Sequence, residues 1–132
     1  MINPTTYDES KLFPPVIAVD FDGTLVTNQY PLLGEPVPYV IEAVKQMREF
    51  GWRIILWTCR TGDQLTEAIQ FCKNLGLEFD EVNRNIKEVR EYFGEDTRKV
   101  FANIYLDDKS AQLQVGRWSN RFNAIPVYEM ER

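Results

Sequence analysis

The residues Val16-Ile17-Ala18-Val19 form a short apolar run that breaks off at Asp20-Phe21-Asp22-Gly23-Thr24. An apolar run this short, entered from Pro14-Pro15 and left through a Gly turn, reads as a strand buried on both faces. Strands of that kind belong to parallel sheets whose two faces are covered by helices. The rest of the chain follows the same rule. Val37, Val40, Ile41, Val44 and Met47 fall at helical spacing, with Gly51 placed to stop the helix. Ile54-Ile55-Leu56-Trp57 is a second buried strand. Thr61-Gly62-Asp63 supplies loop and N-cap chemistry for a helix carrying Leu65, Ala68, Ile69, Cys72 and Leu75 and ended by Gly76. A short strand is expected over 78–82. A charged helix with Ile86, Val89 and Phe93, stopped by Gly94, is expected next, and a further strand within 100–106. Segment 110–115 is expected to be a short helix and 124–128 a last strand. Strands alternating with helices predict an α/β domain, three-layered and Rossmann-like, with a mainly parallel central sheet. A chain of 132 residues suffices for one domain with a sizeable core and not for two. Residues 1–13 read as a tail or packed-down arm, and 14–132 as the single domain.

Composition narrows the chemistry. There is no histidine, which removes Ser-His and Cys-His nucleophile systems and every His-based zinc site. Cys59 and Cys72 form no C-x-x-C pair and no disulfide framework, so a reducing cytoplasm is the expected location. A net charge of −5 argues against a surface that is a nucleic-acid footprint throughout. The first residues are polar with no apolar signal segment, and no run is long enough to span a membrane.

In a parallel α/β sheet, ligands bind beyond the C-terminal strand ends, and three predicted strand ends carry unusual residues. They are Asp20-Phe21-Asp22-Gly23-Thr24, Thr58-Cys59-Arg60 and Asp107-Asp108. If the sheet is parallel, four carboxylates face one crevice. Close anions persist together only if a cation sits among them or some carry protons. With oxygen donors alone, the natural cation is a hard one, Mg²⁺, which also recruits phosphate. A carboxylate can attack phosphorus and form an aspartyl-phosphate. Asp22, two residues after Asp20, points to the same side of an extended chain and can serve as acid and base. Thr58 offers a hydroxyl to a phosphoryl oxygen. Gly23 permits a sharp turn after the acid. Arg60 reaches either a phosphate or Asp22. Trp57 and Cys59 read as packing residues. Asn83-Arg84-Asn85 also follows a strand end and reads either as turn or as substrate contact.

These residues resemble the haloacid dehalogenase (HAD) superfamily. Val19-Asp20-Phe21-Asp22-Gly23-Thr24-Leu25 is similar to its first motif, Ile55-Leu56-Trp57-Thr58 to its second, and Tyr105-Leu106-Asp107-Asp108 to its fourth. The resemblance covers most of 16–108 and implies a HAD-like fold and a Mg²⁺-dependent phosphomonoester hydrolase. Asp20 would be nucleophile and metal ligand. Asp22 would be general acid/base, with its backbone carbonyl on the metal. Thr58 would bind the phosphoryl group, with Gly23, Thr24 and Arg60 at the substrate. Asp107 and Asp108 would hold Mg²⁺. For the third motif, a neutralising lysine, Lys99 is the choice and Lys87 and Arg98 the alternatives. Lys109 suits substrate contact.

Neither interval that carries a cap domain in the family has room for one here, so the resemblance is to the capless class. An open site implies a phosphorylated macromolecule as substrate, or a small molecule in a site closed by a neighbouring subunit of a homo-oligomer. Nucleic acid enters only as substrate, and no membrane partner is expected. Two other readings use the same residues: a binding or scaffold domain with little turnover, and a phosphotransferase sharing the aspartyl-phosphate step. A response-regulator receiver has its acidic pair first and the accepting Asp later, the reverse of the order here.

Overall fold

The computed structural model describes residues 12–114, 117–120 and 128–129. The elements in chain order are β1 (Val16–Val19), α1 (Pro38–Glu49), β2 (Arg53–Leu56), α2 (Gly62–Asn74), β3 (Glu81–Val82), α3 (Lys87–Phe93), β4 (Ile104–Leu106), β5 (Ala111–Gln114), β6 (Arg117–Asn120) and β7 (Tyr128–Glu129). The first four strands form one sheet in the order β3-β2-β1-β4, with every pairing parallel. This is the expected Rossmann-like α/β class.

The pleat explains the layers. Successive side chains of a strand leave on opposite faces. Ile17, Val19, Ile54 and Leu56 therefore join one apolar cluster with Val40, Ile41 and Val44 of α1 and Ala68 and Cys72 of α2. Val16, Ala18 and Ile55 join the other, with Val89 of α3, Phe13 and Val100. All of these are buried, and each large one contributes about 1.5–3 kcal/mol through burial. The central strand β1 is buried along its whole length, which is why its sequence reads as a continuous apolar run rather than an alternating one. Burial also leaves Cys72 inert, its thiol pushed up to about 12.

Between β1 and α1 the chain makes a loop pinched at its neck. Thr27 N–H donates to the Glu35 carbonyl (2.8 Å), and Glu35 N–H donates to Thr27 Oγ1 (2.9 Å). Gly34 lies so close to Thr27 that a Cβ there would fall 1.8 Å from the Thr27 carbonyl oxygen. Residues 28–33 project beyond this neck as a flap. The interval from β2 to β4 is filled by α2, β3 and α3, so neither interval holds an inserted domain.

One expectation needs revision. Within the segment expected to be a short helix, 111–114 form β5, antiparallel to β6. Ala111-Gln112-Leu113-Gln114 alternates apolar and polar residues with the period of two of a strand. The last strand was expected over 124–128. Tyr128 does pair with Trp118 in β7, whereas 124–127 lie outside the described residues, as do 1–11 of the arm. Phe13, at its end, packs its ring against Tyr92 and Phe101. Among the described residues no helix is long and apolar enough to cross a membrane.

Candidate functional site

The parallel register brings the strand ends to one edge. Asp20 continues β1 and donates its backbone N–H to the Leu106 carbonyl (3.0 Å), while Trp57 N–H donates to the Val19 carbonyl (2.9 Å). The ends of β1, β2 and β4 are thereby stitched side by side. Above them opens a cleft of about 760 Å³ lined by Asp20, Asp22, Tyr30, Thr58, Asn83, Asp107 and Lys109, among others. Phe21 is fully buried between the two acids, so Asp20 and Asp22 share the cleft side of the chain.

Oxygens of Asp20, Asp107 and Asp108 lie within 4.8 Å of one another. Burial, the largest cause, together with the charges of Asp107, Asp108 and Asp22 pushes the Asp20 carboxyl up to about 7, against the opposing hydrogen bond from Phe21 N–H. Asp108 is also raised, first by burial and then by a hydrogen bond with the Asp107 side chain, with Lys109 acting against the rise. This is the signature of acidic groups held too close for all of them to be charged without a cation. The donors are all carboxylate oxygens, which fits a hard divalent ion.

The turn after Asp22 is built around Asp108. Gly23 has φ +85°, and a Cβ there would sit 2.3 Å from Asp108 Oδ2. Glycine is thus needed both for the left-handed backbone and to leave room for the carboxylate. Thr24 is buried, and its hydroxyl accepts the Asp108 N–H (3.1 Å). Gly23 and Thr24, expected at the substrate, seat the Asp108 carboxylate.

Of the two partners expected for Arg60, a phosphate or Asp22, the structure shows Asp22. The Arg60 side chain is 1% exposed. Nε donates to Asp22 Oδ2 (2.8 Å) and Nη2 to Asp22 Oδ1 (2.7 Å). Nη2 also donates to the Leu32 carbonyl (2.7 Å), and Nη1 to those of Pro31 (3.3 Å) and Gln64 (3.4 Å). A guanidinium has five N–H donors, and all are engaged, leaving none for a phosphoryl oxygen. The Asp22 hydrogen bonds raise the arginine's pKa above its ordinary value against the opposing effect of burial. Thr58 lines the cleft. Its hydroxyl accepts the Arg60 N–H (3.2 Å) and its own N–H donates to Asn83 Oδ1 (2.8 Å).

A conserved protein coded by a locus of Bacteroides thetaiotaomicron has a solved structure that is 42% identical to this chain, with a TM-score of 0.64. The match covers 72% of this chain and 76% of that one. The chain belongs to that protein's family. No family model matches the chain, and no curated protein does. Membership in this family carries the fold and leaves the chemistry to the cleft.

The expected neutralising lysine is not in the cleft. Lys99 precedes β4 rather than following it, and its ammonium lies over the Tyr105 ring (5.5 Å). The Tyr105 hydroxyl reaches back to the Val100 carbonyl (2.6 Å), which holds that pair towards the start of the strand. Lys87 is exposed and pairs with Glu91 (3.7 Å), and Arg98 is exposed too. The lysine that lines the cleft is Lys109, 3.6 Å from Asp108 Oδ2. Asn83 was left open between turn and substrate contact. Among the described residues it is the non-glycine residue with positive φ, +54°, a conformation Asn tolerates better than most residues, and its side-chain carbonyl oxygen fixes the Thr58 loop.

Proposed function

We propose that this protein is a Mg²⁺-dependent phosphomonoester hydrolase of the HAD type, working through an aspartyl-phosphate on Asp20. The observation that carries the reading is the position of Asp20 at the end of the central strand, grouped with Asp107 and Asp108 and two residues before a second cleft-lining acid. Asp20, Asp107 and Asp108 would hold the metal, with the backbone carbonyl of Asp22. The bound ion would neutralise the carboxylates and the phosphoryl oxygens, keeping Asp20 ionised at neutral pH.

An Asp20 oxygen then attacks phosphorus, and the bond from phosphorus to the ester oxygen breaks. Asp22 delivers its proton to that departing oxygen. In the second half, Asp22 takes a proton from water as the water oxygen attacks phosphorus, and the bond to Asp20 breaks to release phosphate. The Thr58 hydroxyl and Lys109 are the groups at hand for the phosphoryl oxygens. The open cleft suits a phosphorylated macromolecule, or a small ester in a site completed by a second subunit.

The test is hydrolysis of p-nitrophenyl phosphate, nucleotides, phosphopeptides and phosphate-ended oligonucleotides with Mg²⁺, for wild type beside Asp20→Asn. Activity that vanishes in the variant and in chelator supports the reading. Equal activity of the two proteins, or full activity in chelator, rejects it.

A further inference from the structure

Arg60 binds two things that nothing else among the described residues joins: the acid Asp22 and the flap. The flap is closed at its neck by Thr27 and Glu35, and its residues 28–32 are exposed. Exposed loops of this kind are ordinarily the first parts of a fold to open. Here the far end is held from below, with the carbonyls of Pro31 and Leu32 on the Arg60 guanidinium. The Tyr30 ring lies over the guanidinium from the flap side (5.2 Å) and Phe21 packs against it from the core (5.0 Å). The fork that grips the flap is the one that grips both oxygens of Asp22.

We infer that Arg60 is a positioning residue that locks the flap and the Asp22 carboxyl into one unit, so that aiming the acid and seating the flap over the cleft occur together. The inference rests on the acid/base role proposed for Asp22. A planar fork held by five acceptors has one orientation, and it fixes the carboxyl that it grips bidentately. Any turn of the Asp22 carboxyl toward a leaving-group oxygen strains its two bonds to Arg60. The same guanidinium then shifts against the Pro31 and Leu32 carbonyls, and the flap feels the change. A lysine at this position keeps the charge but not the fork.

The experiment compares wild type, Arg60→Lys and Asp22→Asn in two readouts. The first is turnover of two Mg²⁺-supported esters. One is p-nitrophenyl phosphate, whose leaving oxygen departs unprotonated, and the other is an alkyl phosphate, whose leaving oxygen needs a proton. Misplacing the acid lowers kcat/KM, which reports the release of the leaving group and not the later attack of water, on the alkyl ester by roughly 100-fold, in line with the usual contribution of a positioned acid. The aryl ester loses much less, and both variants share this pattern. An equal loss on the two esters, or no loss, overturns the inference and makes Arg60 a packing residue only. The second readout is amide hydrogen exchange at Tyr30 and Leu32, which needs no turnover. Both variants speed it, Asp22→Asn included, although Asp22 lies outside the flap. Flap exchange that ignores Asp22→Asn overturns the coupling. Wild type inactive on both esters rejects the phosphatase reading, while the exchange result still decides whether Arg60 ties flap to acid.

Discussion

Replacing Asp20 by Asn in the metal-free protein is expected to stabilise it at neutral pH while removing its chemistry. Asp20 is pushed from 3.8 to about 7 by burial and by its three acidic neighbours. A carboxyl raised in the folded state favours folding only while it keeps its proton. The stabilisation is complete below the unfolded value near 3.8, declines as pH rises through about 7, and is absent above. The whole interval corresponds to roughly 4 kcal/mol at about 1.4 kcal/mol per pH unit. Asp20 is partly open to the cleft, so screening by water reduces the expected difference to about 1–2 kcal/mol. Asn keeps the shape and never charges, so its curve lacks this decline. Urea unfolding with chelator, from about pH 4 to about pH 8, should show the two proteins close together at the acid end and the variant ahead by that amount at the alkaline end. Saturating Mg²⁺ should reverse the order, because only the intact carboxylate set gains fully from the ligand. A gap that does not grow with pH, or a variant less stable than wild type at pH 8, would refute the argument that Asp20 is held at a cost.

Gly23→Ala places a methyl group against the Asp108 carboxylate at a left-handed φ that costs a non-glycine residue about 1–2 kcal/mol; calorimetry should show Mg²⁺ affinity falling at least tenfold, and unchanged affinity would sever Asp108 from the site. Arg60→Met leaves Asp22 without its partner, and loss of one member of a buried pair typically costs about 3–5 kcal/mol, read as the drop in unfolding free energy; Asp22→Asn added to it should cost little more. Lys109→Ala should raise KM for phosphate esters several-fold, whereas Lys99→Ala should leave kcat and KM within about twofold, and the opposite ranking would return Lys99 to the cleft. Inorganic phosphate should bind measurably only when Mg²⁺ is present, and equal binding in chelator would contradict the charge balance of the cleft.

The parts of the fold that could be read in the sequence were those where one physical demand acted alone. Val16–Val19 must be apolar throughout because both faces are covered, and α1 and α2 must carry apolar residues at helical spacing because one face of each packs on the sheet. The candidate acids were legible for a similar reason: only a strand end makes sense of Asp20 and Asp22 with a core phenylalanine between them. Arg60 was half legible: its hold on Asp22 was one of the two alternatives, and its hold on the flap was not. Its five donors are satisfied by Asp22, two flap carbonyls and a helix carbonyl, and no spacing rule predicts where carbonyls 28 and 29 residues upstream will fall. The Thr24 contact was not legible either, since nothing beside an acidic motif says that its hydroxyl will accept the Asp108 N–H. The place of Lys99 was hidden because adjacency to a strand says nothing about which side chain its ammonium will meet. The alternation across 111–114 was there to be read and was outweighed by the shortness of the segment.

Pairing off the cleft's charges shows what a cation would relieve there. Arg60 is committed to both oxygens of Asp22, and Lys109 lies against Asp108. Asp20 and Asp107 have no positive side chain of their own among the described residues, and one of them is the proposed nucleophile. A phosphate ester entering such a cleft would meet carboxylates of its own sign. Spare basic side chains could relieve the repulsion, but the nearby candidates by sequence are turned to other work: Lys99 onto Tyr105, Lys87 towards Glu91 and Arg84 onto Glu81. A divalent ion is the economical solution, because one ion offsets the two uncompensated carboxylates and still offers coordination positions to phosphate. The same deficit that raises Asp20 to about 7 would therefore drive the proposed metal binding, and a cleft that would repel phosphate when empty would admit it once the ion is held.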